Sequence, residues 1–185
     1  MGSTIEPMAS STADSAPTET LALEDQLVAF FDDHYARMVR LAGLICHAGS
    51  SAEDAVQAAM EQAWRRRGTL RDPDKLPWWI DRIIVREAIR QNRGPWWRRI
   101  TEATSEDRAP LHPDPAIQAA PERLALAAAL QSLRVEQRAA CVLHLYVGYT
   151  VGETAQLMGV SVETTRSRLR LARRQLRAEL SEDES

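Results

Sequence analysis

Between Thr101 and Ala120 the chain carries three prolines, Pro110, Pro113 and Pro115, and little apolar periodicity. That stretch divides everything else. On both sides of it apolar residues return every three to four positions, the spacing of a helix with one buried face. No run reads convincingly as a strand, and no fixed-period repeat is present. The 185 residues suffice for two small domains. The expected fold class is therefore all-α: two small helical domains joined by a flexible linker at 101–120.

Residues 1–20 are rich in Ser, Thr, Ala, Pro and Glu and are expected to be a disordered acidic segment. The first domain spans 21–100. Leu27, Phe30, Phe31, Met38, Leu41 and Ile45 predict a helical run with a break near Asp33, ended by Gly49. Ser51 is placed to cap a second helix, with Asp54 three residues on, and that helix runs to about Arg67. The stretch 68–77 reads as a loop, and Pro77 opens a helix that runs to about Arg93, before Gly94-Pro95. The second domain spans 121–180, with helices from Pro121, over 135–147, over about 151–158 and over about 162–180. Residues 181–185 form an acidic tail.

Net charge is −3, but it is laid out in blocks. Residues 1–33 hold seven acids and no Lys or Arg, whereas 65–99 hold eleven basic residues against four acidic. Residues 161–180 hold six arginines against two glutamates. Two basic patches within acidic flanks are the electrostatic footprint of a polyanion binder, though a solvated helix face has the same composition.

The second of these patches has the grammar of a helix-turn-helix. Gly159 suits a left-handed residue ending a short helix, and Ser161 suits the N-cap of the next. At 100° per residue, Val162, Thr165, Leu169, Ala172 and Leu176 share an inward face. Glu163, Thr164, Ser167, Leu171 and Arg174 face the other way, flanked by Arg166, Arg168, Arg170 and Arg173. Such a face reads a DNA groove while its arginines hold phosphates. Leu171 is apolar on that face, suited to a thymine methyl or to a protein partner.

In the first patch, Arg82, Arg86, Arg90 and Arg93 follow at spacings of four, four and three, one stripe of one helix. Trp78, Trp79, Trp96 and Trp97 lie at its ends. Arginine interleaved with aromatic residues is the composition of single-strand binding, in which bases stack on rings. Trp79 shares a face with Ile83, so a core role competes with a base-stacking one. One domain is thus suited to duplex DNA and the other to opened DNA, a pairing that points to transcription initiation.

These stretches resemble the extracytoplasmic-function group of bacterial sigma factors over roughly 27–97 and 121–180. Glu53, Asp54, Val56, Gln57, Ala63 and Trp64 in "SAEDAVQAAMEQAWRR" match the helix that, in that family, docks on the clamp helices of the largest RNA polymerase subunit. Trp79, Ile80, Arg82 and Ile83 match its promoter-melting helix. Val162, Thr164, Arg166, Ser167, Arg168, Leu169, Ala172 and Arg173 match its −35 reader. The resemblance implies polymerase-core binding by Glu53, Asp54, Val56, Gln57 and Trp64. It implies −10 binding and melting by the 68–77 loop and the helix after it: Arg71, Lys75, Trp78, Trp79, Arg82, Arg86, Arg90 and Arg93. It implies −35 binding by Ser161, Glu163, Thr164, Arg166, Ser167, Arg168, Arg170, Leu171 and Arg174. The family commonly has Asn and Asp where this chain has Arg86 and Arg90, which favours backbone over base contacts there. Leu171 stands where the family usually has a basic residue.

Further partners implied are the flap of the second-largest polymerase subunit, promoter DNA and an anti-sigma factor, because a free initiation factor would always be active. No phosphate-binding loop or nucleotide fingerprint is present, no catalytic constellation is evident, and no cofactor is expected. Cys46-His47 and Cys141 with His144 form a formal Cys₂His₂ set, but Cys141 lies in the apolar run "AACVLHLYV" and reads as core, so no metal is expected. No apolar run reaches the roughly 18 residues of a membrane span, and a cytoplasmic, non-enzymatic protein is expected. The rival readings are a stand-alone helix-turn-helix regulator and a non-DNA adaptor that holds an acidic protein. A repressor needs neither the clamp-docking helix nor the Trp/Arg block.

Overall fold

The structure is a computed structural model that describes residues 16–46, 52–93 and 121–182. Seven α-helices are found among them: α1 Ala16–Ile45, α2 Ala52–Arg66, α3 Leu76–Gln91, α4 Pro121–Ser132, α5 Val135–Cys141, α6 Val151–Met158 and α7 Val162–Glu182. The linker expected at 101–120, the stop at Gly49, the cap at Ser51 and the pair Trp96–Trp97 lie outside the described residues.

Helix α1 differs from expectation at two points. It begins at Ala16, inside the segment expected to be disordered, and it runs without a break through Asp33. Asp32 and Asp33 are exposed, while Phe30, Phe31, Met38, Leu41 and Ile45 bury one continuous face. Asp is less favourable than Ala in a helix by only about 0.7 kcal/mol. Burying even one large apolar side chain is worth about 1.5–3 kcal/mol, so the face decides. His34 stacks on Phe30 with ring centroids 4.2 Å apart, one turn along.

Helix α2 meets its neighbours through Ala55, Val56, Ala59 and Ala63, small residues that allow close approach. Glu53 and Asp54 in its first turn and Arg65 and Arg66 in its last match the helix dipole. The expected 68–77 loop contains two 3₁₀ turns, Arg67–Thr69 and Pro73–Lys75. The second is capped by Asp72, which accepts from the Asp74 amide at 3.2 Å. Pro77 lies in the first turn of α3, where a missing N–H is harmless.

In the C-terminal half, α5 runs on into a π-helical turn, Val142–Val147, closed by Gly148 at φ 94°. The Tyr149 amide then donates to Leu143 O at 3.0 Å, which folds the chain back and directs Tyr149 toward α3. Thr150 and Glu153 form a capping box at the start of α6, with Glu153 N donating to Thr150 Oγ1 at 3.2 Å and Thr150 N to Glu153 Oε2 at 2.8 Å. Gly159 ends α6 at φ 69°, as the turn grammar requires.

The two halves are docked on one another. Helix α3 packs on α6, α1 packs on α5, and one continuous apolar core runs through both halves. Arg138 lies within it at 0% exposure, donating from Nε to Ile45 O at 2.8 Å and from Nη1 to Gln131 Oε1 at 2.9 Å. Burial pushes its pKa down to about 10, which still leaves it charged at neutral pH. Cys46 and Cys141 are both buried and form no disulfide, and burial raises the pKa of Cys141. No helix among the described residues is long and apolar enough to cross a membrane.

Candidate nucleic-acid interface

Helix α7 carries the densest charge. Ser161 caps it, accepting from the Thr164 amide at 3.1 Å, and its hydroxyl also meets Thr164 Oγ1 at 2.9 Å. Both hydroxyls are therefore occupied in holding the helix start. Thr165, Leu169 and Ala172 are buried and Leu176 is half-buried, as the phase predicts, but Val162 is 37% exposed and leaves the inward set. It sits in the first turn, beyond the edge of the packed surface. Glu163, Leu171 and Arg174 are exposed, and Thr164 and Ser167 are half-buried.

The arginines are not arranged as two flanks. Arg166, Arg170, Arg173, Arg174 and Arg177 share one side of α7 and, with His144, Val151 and Leu169, line an open groove of about 770 Å³. Five guanidinium groups concentrate positive charge along one wall. Arg166 also pairs with Glu163, so part of its charge is matched within the helix. Arg168 lies on the other side, half-buried. It is not among the residues that line the groove, and burial lowers its pKa against the pull of nearby Glu136. Arg177 and His144 join the groove although sequence reasoning did not place either of them at a nucleic-acid interface. The i, i+4, i+7, i+8, i+11 spacing of Arg166, Arg170, Arg173, Arg174 and Arg177 contained the signal for Arg177.

On α3 the expected stripe is mostly engaged by protein groups. Arg82 lies over Trp78, with its guanidinium carbon 5.8 Å from the ring centroid. Arg86 donates from Nε to Leu157 O at 3.1 Å. Arg90 pairs with Glu87, whose pKa that contact lowers. Arg93 pairs with Glu136 at 2.7 Å. Burial opposes the charge of Glu136, but a backbone hydrogen bond and Arg93 outweigh it and lower its pKa. Trp78 and Trp79 are both half-buried and pack against the core, so each ring is shared between core and surface. Arg71 and Lys75 are exposed in the preceding loop, Lys75 pairing with Asp72 at 3.2 Å.

Behind the stripe lies an ion pair that no local pattern could have revealed. Asp81 is fully buried. It accepts from Arg37 Nη1 at 2.8 Å and Nη2 at 2.6 Å, and from the Tyr149 hydroxyl at 2.8 Å. The hydrogen bond to Asp81 raises the Arg37 pKa, while burial, reinforced by Asp81, raises that of Tyr149.

The clamp-docking set is displayed on α2. Glu53, Asp54 and Gln57 are exposed, and Trp64 is exposed with the Arg67 guanidinium 5.1 Å from its ring centroid. Val56 departs from the expectation of a contact residue: it is 0% exposed. Its side chain faces the core, so it positions the helix rather than touching a partner.

Two domains in this order, first one with a Trp/Arg helix beside an acidic-headed helix and then one with a basic helix-turn-helix, agree with what known proteins show. Residues 30–98 match the family described as Sigma-70 region 2, and residues 123–176 that described as Sigma-70, region 4. The ECF RNA polymerase sigma factor SigM of Mycobacterium tuberculosis is 35% identical over 156 residues, spanning 82% of this chain and 74% of that protein. This chain is an extracytoplasmic-function sigma factor. SigL of the same organism is 30% identical over 156 residues, spanning 83% of this chain and 88% of that protein. Among solved structures, the sigma factor RpoE of Bartonella quintana, determined with the anti-sigma factor NepR, shares the fold with a TM-score of 0.62 at 22% identity, over 90% of this chain and 98% of that one. The protein is thus a transcription-initiation factor rather than a stand-alone regulator. In this sigma factor the region 2 match takes in α2, α3 and the second half of α1, and the region 4 match runs from α4 into α7.

Proposed function

We propose that region 4 reads −35 duplex DNA through α7, and that region 2 binds the −10 element and assists its melting through the 68–77 loop and α3. The observation that carries the reading is the five-arginine wall on α7, beside the exposed first turns of a capped helix. Glu163, Thr164, Ser167 and Leu171 face the base edges, and Arg166, Arg170 and Arg174, extended by Arg173 and Arg177, follow the phosphates. Trp78 and Trp79 offer ring surface to unstacked bases, and Arg71, Lys75 and Arg82 offer charge to the displaced backbone.

Glu53, Asp54, Gln57 and Trp64 on α2 meet the polymerase clamp helices, and region 4 meets the flap. The polymerase performs the chemistry, and this chain works in the cytoplasm without catalytic residues of its own. An anti-sigma factor holds it inactive, a role supported by the complex in which RpoE was solved. The test is run-off transcription with purified core polymerase on promoters whose two elements are moved apart. Half a helical turn of inserted DNA turns one element to the opposite face and should nearly abolish initiation. Five Gly/Ser residues added within 101–120 should have only a mild effect, since even doubling a loop costs about 0.6 kcal/mol. Equal transcription from the half-turn promoter would refute bipartite reading.

A further inference from the structure

Three consecutive arginines, Arg65, Arg66 and Arg67, span the end of α2 and the start of the first 3₁₀ turn, and Gly68, Thr69 and Leu70 follow them. Arg65 pairs with Glu61 at 3.7 Å and Arg67 with Glu24 at 2.8 Å. Arg66 is exposed and has no acidic partner among the described residues, and the same holds for Arg71, two positions after Thr69. Arginines at a helix end match its dipole. The dipole does not account for an exposed hydroxyl framed by two unpaired guanidinium groups.

Thr69 is exposed on this turn. Its Oγ1 donates to Arg66 O at 2.8 Å, and the Leu70 amide donates to Arg67 O at 3.1 Å. Nothing packs over the turn: a Cβ at Gly68 would meet no atom within 4 Å. A short turn at a helix end opens more readily than the core beside it. Once open, it presents Arg66 three residues and Arg67 two residues before a hydroxyl, with apolar Leu70 directly after it. That is the chemistry selected by a protein kinase whose substrate groove is lined with carboxylates.

We propose that Thr69 is a phosphorylation site for an arginine-directed protein kinase, and that its phosphate clasps Arg66 and Arg71 and withdraws them from the −10 strand. In the transfer, Thr69 Oγ1 attacks the γ-phosphorus of ATP. The new Oγ1–P bond replaces the bond from that phosphorus to the bridging oxygen, ADP leaves, and the hydroxyl proton passes to a kinase carboxylate. The product carries a charge of about −1.5 to −2 and three acceptor oxygens. It cannot rest where the hydroxyl stood, because the donor to Arg66 O is gone and the end of α2 repels a dianion. The flanking guanidinium groups take it up. Burial first, then Arg82 and Arg66, lower the pKa of Arg86, so Arg66 belongs to the same cluster of positive charge as the α3 stripe. The effect on DNA rests on the −10 reading of the 68–77 loop, whereas the modification itself does not.

The test treats the full chain with magnesium ATP and the catalytic subunit of cyclic-AMP-dependent protein kinase, as an arginine-directed probe, and locates the phosphate by peptide mass spectrometry. Every chain carries Thr101→Val, because Arg98 and Arg99 precede that threonine too. Circular dichroism checks that each chain is folded when it meets the kinase. The parent should be phosphorylated on Thr69. Arg66→Ala should slow that on the order of tenfold, as expected for one lost charge-assisted contact. Thr69→Val should be unaffected by the kinase. Assembled with core polymerase, the phosphorylated chain should bind a single-stranded −10 oligonucleotide with a salt slope lower by about 1.4, two contacts at about 0.7 each. Phosphatase treatment should restore the slope. No phosphate on Thr69, phosphate there with an unchanged slope, or loss of core binding instead would each overturn the proposal. Unmodified Arg71→Ala separates its failure from that of the −10 reading. If this variant binds the oligonucleotide like the parent, the loop does not meet the −10 strand; if it binds more weakly while the phosphorylated parent does not, the phosphate clasp alone is wrong.

Discussion

Asp81→Asn is the sharpest single test of how the two domains are held together. The substitution keeps the shape of the side chain and removes its charge. In the parent, three donated hydrogen bonds converge on this carboxylate: two from Arg37, at 2.8 and 2.6 Å, and one from Tyr149 at 2.8 Å. Removing one partner of a buried ion pair costs about 3–5 kcal/mol. Asp81 is 0% exposed, but the Arg37 side chain is 41% exposed, so water takes up part of the lost interaction. The discounted cost is about 2–3 kcal/mol. For a chain of this length that is a fall in Tm of about 4–12 °C, at about 2–4 °C per kcal/mol. Tyr149→Phe removes a single bond to a charged acceptor that keeps its two bonds from Arg37, and should cost about 1.5 kcal/mol. In Asp81→Asn the new amide oxygen still accepts from Tyr149, but as a neutral group. The two changes should therefore be coupled by about 0.5–1 kcal/mol in a double-mutant cycle. Urea melts followed by tryptophan fluorescence and far-ultraviolet circular dichroism measure all four chains, and coincident curves justify the two-state treatment. Asp81→Asn within about 0.5 kcal/mol of the parent at unchanged m would show that the buried cluster does not hold the domains.

Asp54→Arg with Gln57→Ala should weaken co-elution with core polymerase while leaving the helical spectrum intact, since both side chains are exposed on α2. Arg170→Ala and Arg174→Ala should each lower the salt slope of −35 duplex binding by about 0.9, one phosphate contact apiece, whereas Arg168→Ala, off the groove, should leave it unchanged; equal slopes for all three would remove the phosphate track. Tyr149 has a folded pKa raised above its ordinary 10.0, first by burial and then by Asp81. Its stabilising contribution is complete below pH 10 and is lost as pH rises through the folded value, so the parent should lose its stability advantage over Tyr149→Phe above pH 10. A constant difference between the two chains from about pH 8 to about pH 12 would contradict that assignment.

The helices and the recognition helix were legible in the sequence because they are set by near neighbours. Apolar spacing, the glycine at 159 and the serine cap at 161 all act within two or three turns, and the structure has them where the pattern put them. The misplaced features are those in which a distant packing surface outweighed a local preference. Asp33 did not break α1 because Phe31 and Met38 on either side of it were both buried. Val56 matched a contact pattern but was taken into the core. The docking of the two domains was beyond the sequence altogether. Asp81 lies 44 residues from Arg37 and 68 from Tyr149, and Arg138 reaches a carbonyl 93 residues away. A helical period says which side of a helix is apolar, not which other helix covers it. Arg86 shows the consequence: its charge and its place on the stripe of α3 follow from local spacing, while only tertiary packing decides that a helix end, rather than solvent, lies opposite it.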